Sequence, residues 1–375
     1  YLEAVGTALG AVKEGTDEVV YVSSGEGATS EGEFHEAVNW ASREKLPVIF
    51  LIQDNKYAIS VTVREQMAAK SVYHLTSGYE GLNRYEIDGC DLLASYGTSC
   101  DAVAKARSGQ GPSLILAHTV RLLAHSSSDD QRKYRPEEEL ARDRAKDPLP
   151  RLEKYLLANK ILTETHLNTL QRDVCDRIDR AADAAEAQPQ QDPANLLKYV
   201  YSPDTAIPKD GFVEPAHAGG KIVMVDAITH AMAEEMERNP KMLMYGEDIA
   251  GDKGGVFTAT KGLTKRFGRQ RVFNSPLAEA SIIGTAFGLA LRGFKPVVEI
   301  QFGDYIWPAF MQLRDEVATL RFRSNNDWSC PMVVRVAVGG YIHGGLYHSQ
   351  SIDGVFTRLP GVRVVMPSNA ADAKG

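Results

Sequence analysis

Cysteine is scarce in this 375-residue chain: four residues, Cys90, Cys100, Cys175 and Cys330, lie far apart and offer no close-spaced pair to seat a metal. That usage fits a reducing compartment better than a secreted one, and four buried apolar thiols account for it equally. Long apolar runs are missing too. The longest, Val48 to Ile52, has five residues, against the roughly 18 that would suggest a membrane span. Positive charge is in deficit, with 42 Lys and Arg against 49 Asp and Glu for a net −7, the wrong sign for holding nucleic acid through an overall field. No initiator Met, basic leader or apolar targeting stretch precedes Tyr1, so a cytoplasmic protein is expected, and the sequence reads as a piece of a longer polypeptide. Gly and Pro, at 32 and 17 residues, are at ordinary globular usage, which excludes collagen-like and disordered classes. The length suits two or three domains, each large enough for its own core.

Short β-rich runs at Val19 to Ser23, Val48 to Ile52, Tyr85 to Asp88 and Leu114 to His118 are separated by stretches with helical spacing. Between the first two, Phe34, Ala37, Val38 and Ala41 recur at three and four, predicting an amphipathic helix over 31–45. Such alternation argues for a mostly parallel sheet flanked by helices, in which ligands sit at the carboxyl ends of strands. From Pro136 the chain turns polar and helical, through Leu152 to Ala187, and Gln188 to Gly220 reads as a linker rich in Pro, Gln and Asp. A second α/β pattern follows: a helix with Val225, Ile228, Met232 and Met236 on one face, then strands at Lys241 to Tyr245, Pro296 to Gln301, Met332 to Val336 and Val362 to Val365. The expected organisation is one α/β domain over 1–150, a helical segment and linker over 151–218, and a second α/β domain over 219–375.

Three constellations carry chemistry. Gly25-Glu26-Gly27-Ala28 follows the first strand and precedes a helix, a turn that lets backbone approach an anionic ligand but that also occurs as a plain connection. The neighbouring parallel strand ends in Gln53-Asp54-Asn55-Lys56-Tyr57, so Glu26 and Asn55 can converge on one hard cation such as Mg²⁺. His125-Ser-Ser-Ser-Asp-Asp130 follows the strand ending at His118; by composition it is a polar loop with an Asp cap. In the second half, Glu279 opens a helix carrying Gly284 and Gly288, where an acidic residue also simply complements the dipole. A lone His348 in a Gly-rich loop has no meaning of its own.

Taken in order, these segments resemble the thiamine diphosphate-dependent 2-oxoacid dehydrogenases, decarboxylating component, with an alpha-type half followed by a beta-type half on one polypeptide. The resemblance implies two thiamine diphosphate-binding-type domains, the first holding the diphosphate and the second the pyrimidine. It implies that Glu26, Asn55 and the Tyr57 carbonyl hold Mg²⁺ and that Gly25, Gly27 and Ala28 lie by the diphosphate. Gln53 stands there too, where the family has Arg, which removes one phosphate cation. His125 inherits a place near the diphosphate and the acyl-accepting lipoyl group, and Ser126 matches a serine phosphorylated in mitochondrial relatives. Leu277, Gln301 and Tyr305 match pyrimidine contacts, Glu279 the residue that activates the aminopyrimidine, and His348 the histidine that acts on the 2-oxoacid.

Glu26, the Ser-Asp-Asp after His125, and Leu346-Tyr347-His348-Ser349-Gln350-Ser351 favour branched-chain 2-oxoacids such as 2-oxoisovalerate over pyruvate. The expected partners are a lipoylated acyltransferase core and a further copy of the chain in a homodimer or larger assembly, with no nucleic acid and no membrane. Two rivals stand: the same chemistry on pyruvate, and a catalytically silent assembly module. Further diphosphate contacts are expected before Tyr1 and a C-terminal domain after Gly375.

Overall fold

The computed structural model describes residues 1–202 and 220–375. They form two compact units, one of residues 21–32 and 42–196, the other of residues 1–20, 33–41 and the described part of 197–375. The expected α/β class is the observed one. The boundary near 219 and much of the linker lie outside the described residues.

The first unit is built on a four-stranded sheet of order β1-β2-β6-β5, with β1 at Val20–Gly25, β2 at Val48–Asp54, β5 at Asn83–Asp88 and β6 at Ser113–His118. A small hairpin, β3 (Tyr57–Ala58) with β4 (Val61–Thr62), follows β2. Strands β2 and β6 pair in parallel from Ile49↔Ser113 to Asp54↔His118, and β5 pairs with β6 from Asn83↔Ser113 to Asp88↔His118. Val48, Ile49, Phe50 and Ile52 are buried, as is Leu114 to Ala117. Near-continuous apolar runs of this kind mark the central strands of a covered parallel sheet. The helix Leu92–Arg107 packs on β5, β6 and β2, started by Asp91, whose carboxylate accepts from the Leu93 and Ala94 N–H groups at 2.9 and 3.0 Å. Register therefore lines up Asp54, His118 and Asp88 along one carboxyl edge.

The second unit holds a sheet of order β10-β9-β7-β8, all parallel. Its strands are β7 (Met242–Gly246), β8 (Val272–Asn274), β9 (Lys295–Ile300) and β10 (Val333–Val336). Met232 and Met236 of helix Met224–Arg238 and Met242 and Met244 of β7, with Ile249, Leu263 and Val272, form one buried cluster. The run Val362 to Val365, expected as a strand, is irregular: Val365 is exposed and no strand pairs with it among the described residues. The three-residue β8 was too short to show a period.

Helix Glu279–Leu291, buried from Ala280 to Ala290, packs on β9 and on the N-terminal helix Leu2–Glu14. Glycine makes that approach possible. A Cβ on Gly6 would meet the Thr285 carbonyl oxygen at 2.1 Å, and one on Gly288 the Glu3 carbonyl oxygen at 2.2 Å. The helix Gly32–Arg43 lies nearly where its periodicity places it, and Trp40 meets Tyr245 edge-on at 6.0 Å. Residues 1–20 and 33–41 thus pack with the later half of the chain, whereas the sequence reading assigned them to a domain over 1–150.

Candidate functional site

In the first unit, one candidate cluster forms where β1 ends. Gly25 leads into a tight 3₁₀ turn, Glu26–Ser30, closed by the Thr29 hydroxyl donating to the Glu26 carbonyl at 2.7 Å. Glu26 is 2 % exposed. One carboxylate oxygen, Oε2, accepts from the Asn55 N–H at 3.2 Å, which joins the ends of β1 and β2 as the spacing predicts. The other, Oε1, is buried with no partner. Burial, and then the nearby Asp54 charge, push the Glu26 carboxyl above its ordinary value. Asn55 Oδ1 accepts from the Tyr57 N–H at 3.1 Å and keeps a lone pair.

A buried, unpartnered carboxylate oxygen, on a carboxylate whose other oxygen meets the Asn55 backbone, fits a hard divalent cation, which would lift the desolvation cost of the charge. No group of three or more His, Cys, Asp or Glu side chains is placed to hold a metal among the described residues. The donor set here has one carboxylate and otherwise amide and carbonyl oxygens. A Cβ on Gly27 would strike the Ala58 Cβ at 2.6 Å, so the hairpin alone demands glycine there, whereas Gly25 faces open space. Gln53 is exposed on β2.

Asp54, beside Asn55, is held by Lys56 and by His118 Nδ1 at 3.2 Å. Burial alone would raise its carboxyl, and those two partners hold it below the ordinary value instead. The His125 loop is tied down rather than merely polar. Its Asp129 carboxylate accepts from the His125 N–H at 2.9 Å and the Tyr134 hydroxyl at 2.6 Å, and these, Tyr134 first, hold Asp129 below its usual range. Arg121 donates to the Tyr134 hydroxyl at 2.7 Å and to the Ile59 carbonyl at 2.8 Å, fastening this loop to the hairpin after Asn55. Buried Arg135 adds bonds to Glu139, Asp143 and the Arg121 carbonyl. Asp130 is the cap, accepting from the Arg132 N–H at 3.2 Å. His125 itself is exposed, as is Ser126.

In the other unit, a second cluster gathers at the carboxyl ends of β7 and β9. Glu279 is half-buried at the first turn of its helix. Leu277, just before, is 82 % exposed. The Gln301 amide donates to Asp248 Oδ2 at 2.7 Å, and the Tyr305 hydroxyl lies 2.7 Å from His348 Nε2. Phe302 meets the His348 ring edge-on at 4.8 Å, so Tyr305 and His348 share one place, while Gln301 turns to Asp248. A Cβ on Gly344 would press on the His348 Cβ at 2.4 Å, which explains the glycine beside that histidine.

Sequence reasoning missed Glu247. It is 5 % exposed, has an unpartnered buried oxygen, and its carboxyl is pushed up to about 7 by burial first and then by the Glu279 and Asp248 charges. Glu36 is raised likewise by burial, with Glu33 and Glu279 adding repulsion. Their only signal in sequence was an acid directly after a strand and acids on an amphipathic helix, which composition cannot tell from a solvated face.

Comparison with known proteins fits this geometry. Residues 1–194 match the family described as dehydrogenase E1 component, and residues 220–375 match the pyrimidine-binding domain of transketolase. The first match spans more than half of the chain, and the chain belongs to the dehydrogenase E1 component family. The 2-oxoisovalerate dehydrogenase subunit beta of Bacillus subtilis is 54 % identical over 151 residues, 40 % of this chain and 46 % of that protein. The subunit of the same name from Pseudomonas aeruginosa is 47 % identical over 167 residues, 44 % of this chain and 47 % of that protein. The pyruvate dehydrogenase E1 component subunit beta of Bacillus subtilis is 43 % identical over 155 residues, 41 % of this chain and 47 % of that protein. The chain thus spans just under half the length of the relatives it matches. No helix among the described residues is long and apolar enough to cross a membrane.

Proposed function

We propose that this chain carries the diphosphate-binding and pyrimidine-binding units of a thiamine diphosphate-dependent dehydrogenase that decarboxylates branched-chain 2-oxoacids and passes the acyl group to a lipoyl group on an acyltransferase partner. The observation that carries the reading is the buried, unpartnered Glu26 Oε1, on a carboxylate whose Oε2 is held by the Asn55 N–H where two neighbouring strands end. Glu26, Asn55 and the Tyr57 carbonyl would hold Mg²⁺, with Gly25, Gly27, Ala28 and Gln53 along the diphosphate. Thiamine diphosphate, when bound, supplies the electron sink that side chains lack. Gln301, Tyr305 and Leu277 orient its pyrimidine ring, and Glu279 holds and moves the proton at the ring nitrogen. His348 and His125 give and take protons at the 2-oxoacid and at the lipoyl sulfur. With the Tyr305 hydroxyl at His348 Nε2, the Nδ1 atom is the one that would do that work.

The branched-chain assignment draws support from the higher identity, 54 and 47 %, of two relatives named for 2-oxoisovalerate, while relatives named for pyruvate stand at 42 to 43 %. Dye-linked decarboxylation with 3-methyl-2-oxobutanoate and with pyruvate, each with and without thiamine diphosphate, decides between them. Faster turnover of pyruvate refutes the branched-chain reading; no turnover of either, with the cofactor bound, leaves the silent module. The assembly reading is a homodimer or larger, and a light-scattering mass of one chain at full cofactor affinity refutes it.

A further inference from the structure

We propose that the helix Glu164–Glu186 of the first unit docks on the same helix of a second copy of this chain, the two running antiparallel. Local forces account for how it starts: the Thr163 hydroxyl accepts from the His166 N–H at 3.3 Å, and Glu164 complements the first turn. They do not account for its length. It runs for 23 residues, and every residue from Asn168 to its end is exposed. Helices in proteins owe most of their stability to packing an apolar face, and this one leaves such a face open among the described residues.

The face is Leu167, Leu170, Val174 and Ile178, recurring at three, four and four, which gathers them within about 80° of arc. Leu170 is 54 % exposed, Val174 43 % and Ile178 61 %. On one flank stand Asp173 and Arg177, one turn apart. Level with Val174 and Ile178, the other flank carries the uncharged Gln171, Cys175 and Ala182.

Charge and shape together pick the occupant. With two copies antiparallel and Val174 against Val174, a rise of about 1.5 Å per residue puts Leu170 level with Ile178 of the second copy. An antiparallel pair turns each flank toward its own counterpart. Arg177 then lies within about 3 Å, along the axis, of Asp173 of the second copy, and two-fold symmetry makes that contact twice. A parallel pair instead sets Arg177 against the uncharged flank, which loses both ion pairs, and it aligns the two helix dipoles unfavourably. The face is thus complementary to itself, as a two-fold interface requires. Few apolar side chains take part, so the pairing belongs among the small, readily reversible interfaces. The proposal rests on the homodimer-or-larger reading above, for which it names one surface.

The test is sedimentation velocity of the full chain across a concentration series, with thiamine diphosphate and Mg²⁺ binding measured in parallel by calorimetry. Wild type is expected to associate, and Val174→Asp to lose one step of that association while its cofactor affinity stays unchanged. Val174 is exposed in the single chain, so folding does not need it, and circular dichroism checks this. Asp173→Arg and Arg177→Asp each set like charges across the pair and are expected to weaken it by roughly tenfold. Mixed one to one, the two variants are expected to restore it, because each supplies the charge the other lost. Repulsion between neighbours within one helix is not rescued by mixing chains. Association indifferent to Val174→Asp overturns the proposal and leaves the assembly reading standing on another surface. A mixture that fails to recover overturns the antiparallel pairing and the proposal with it. A wild type that stays single throughout the series also overturns it, whereas the assembly reading falls only if the cofactor binds that single chain at full affinity.

Discussion

Glu247→Gln removes a buried acid that the fold prefers neutral. In the folded chain its carboxyl sits at about 7 against an ordinary 4.5, and each such step of one in pKa is worth about 1.36 kcal/mol. The gap corresponds to at most about 3.4 kcal/mol, and about 2 kcal/mol is a fairer figure once partial solvation of the two neighbouring carboxylates is allowed for. The direction follows from which form the fold favours. Because the folded value is raised, the stabilisation from the neutral acid is complete below about 4.5 and is lost as pH rises through about 7. Glutamine keeps the shape and carries no charge at any pH. The variant and the wild type should therefore melt together near pH 4.5 and diverge above pH 7, the variant becoming more stable.

Tryptophan fluorescence reads this unit alone, because the three tryptophans of the chain, Trp40, Trp307 and Trp328, all belong to it. For a unit of this size the expected divergence is roughly 4 to 8 °C in melting temperature. Since Glu279 is one of the charges that raise Glu247, Glu279→Gln should reduce the pH dependence in part while leaving Glu247 titratable. Parallel melting curves for Glu247→Gln and wild type from pH 4.5 to 8.5 refute the assignment of that raised carboxyl, and with it the picture of Glu247 as a proton-holding group beside Glu279.

Gly288→Ala would drive a Cβ to within 2.2 Å of the Glu3 carbonyl oxygen, and backbone cannot swing aside, so a loss of roughly 1 to 3 kcal/mol is expected in thermal melts. Gly97→Ala, mid-helix with nothing within 4 Å, is the contrast and should stabilise by up to about 1 kcal/mol; equal signs for the two would refute the close-approach argument. Glu26→Ala and Asn55→Ala should each abolish magnesium-dependent binding of thiamine diphosphate in calorimetry, and the double variant should add nothing. Glu279→Gln should lower kcat and kcat/KM together by at least roughly 10² at unchanged magnesium affinity; intact turnover with a slightly lower melting temperature would reduce Glu279 to a helix cap.

How much of this was legible beforehand depends on the range over which each feature is decided. The strands β2 and β6 were plain because a covered parallel strand must be apolar on both faces, and that leaves a run no other element explains. The meeting of Glu26 with Asn55 was legible for the same reason, since adjacent parallel strands bring their carboxyl ends together whatever the side chains are. Val362 to Val365 misled because apolar composition states that a segment tolerates a sheet, while pairing requires a free edge beside it.

The packing of the N-terminal helix on Glu279–Leu291 was not legible at all. It turns on Gly6 and Gly288, and a glycine that marks a close helix crossing looks, in sequence, like one that merely weakens a helix. Glu247 was hidden by a related ambiguity. An acid after a strand is most often solvated, and only the burial supplied by distant residues turns it into a group that titrates near neutrality beside Glu279. Residues recognised through a local turn or a strand end were therefore found. Residues whose chemistry is made by long-range packing, Glu247 among them, had to be seen in three dimensions.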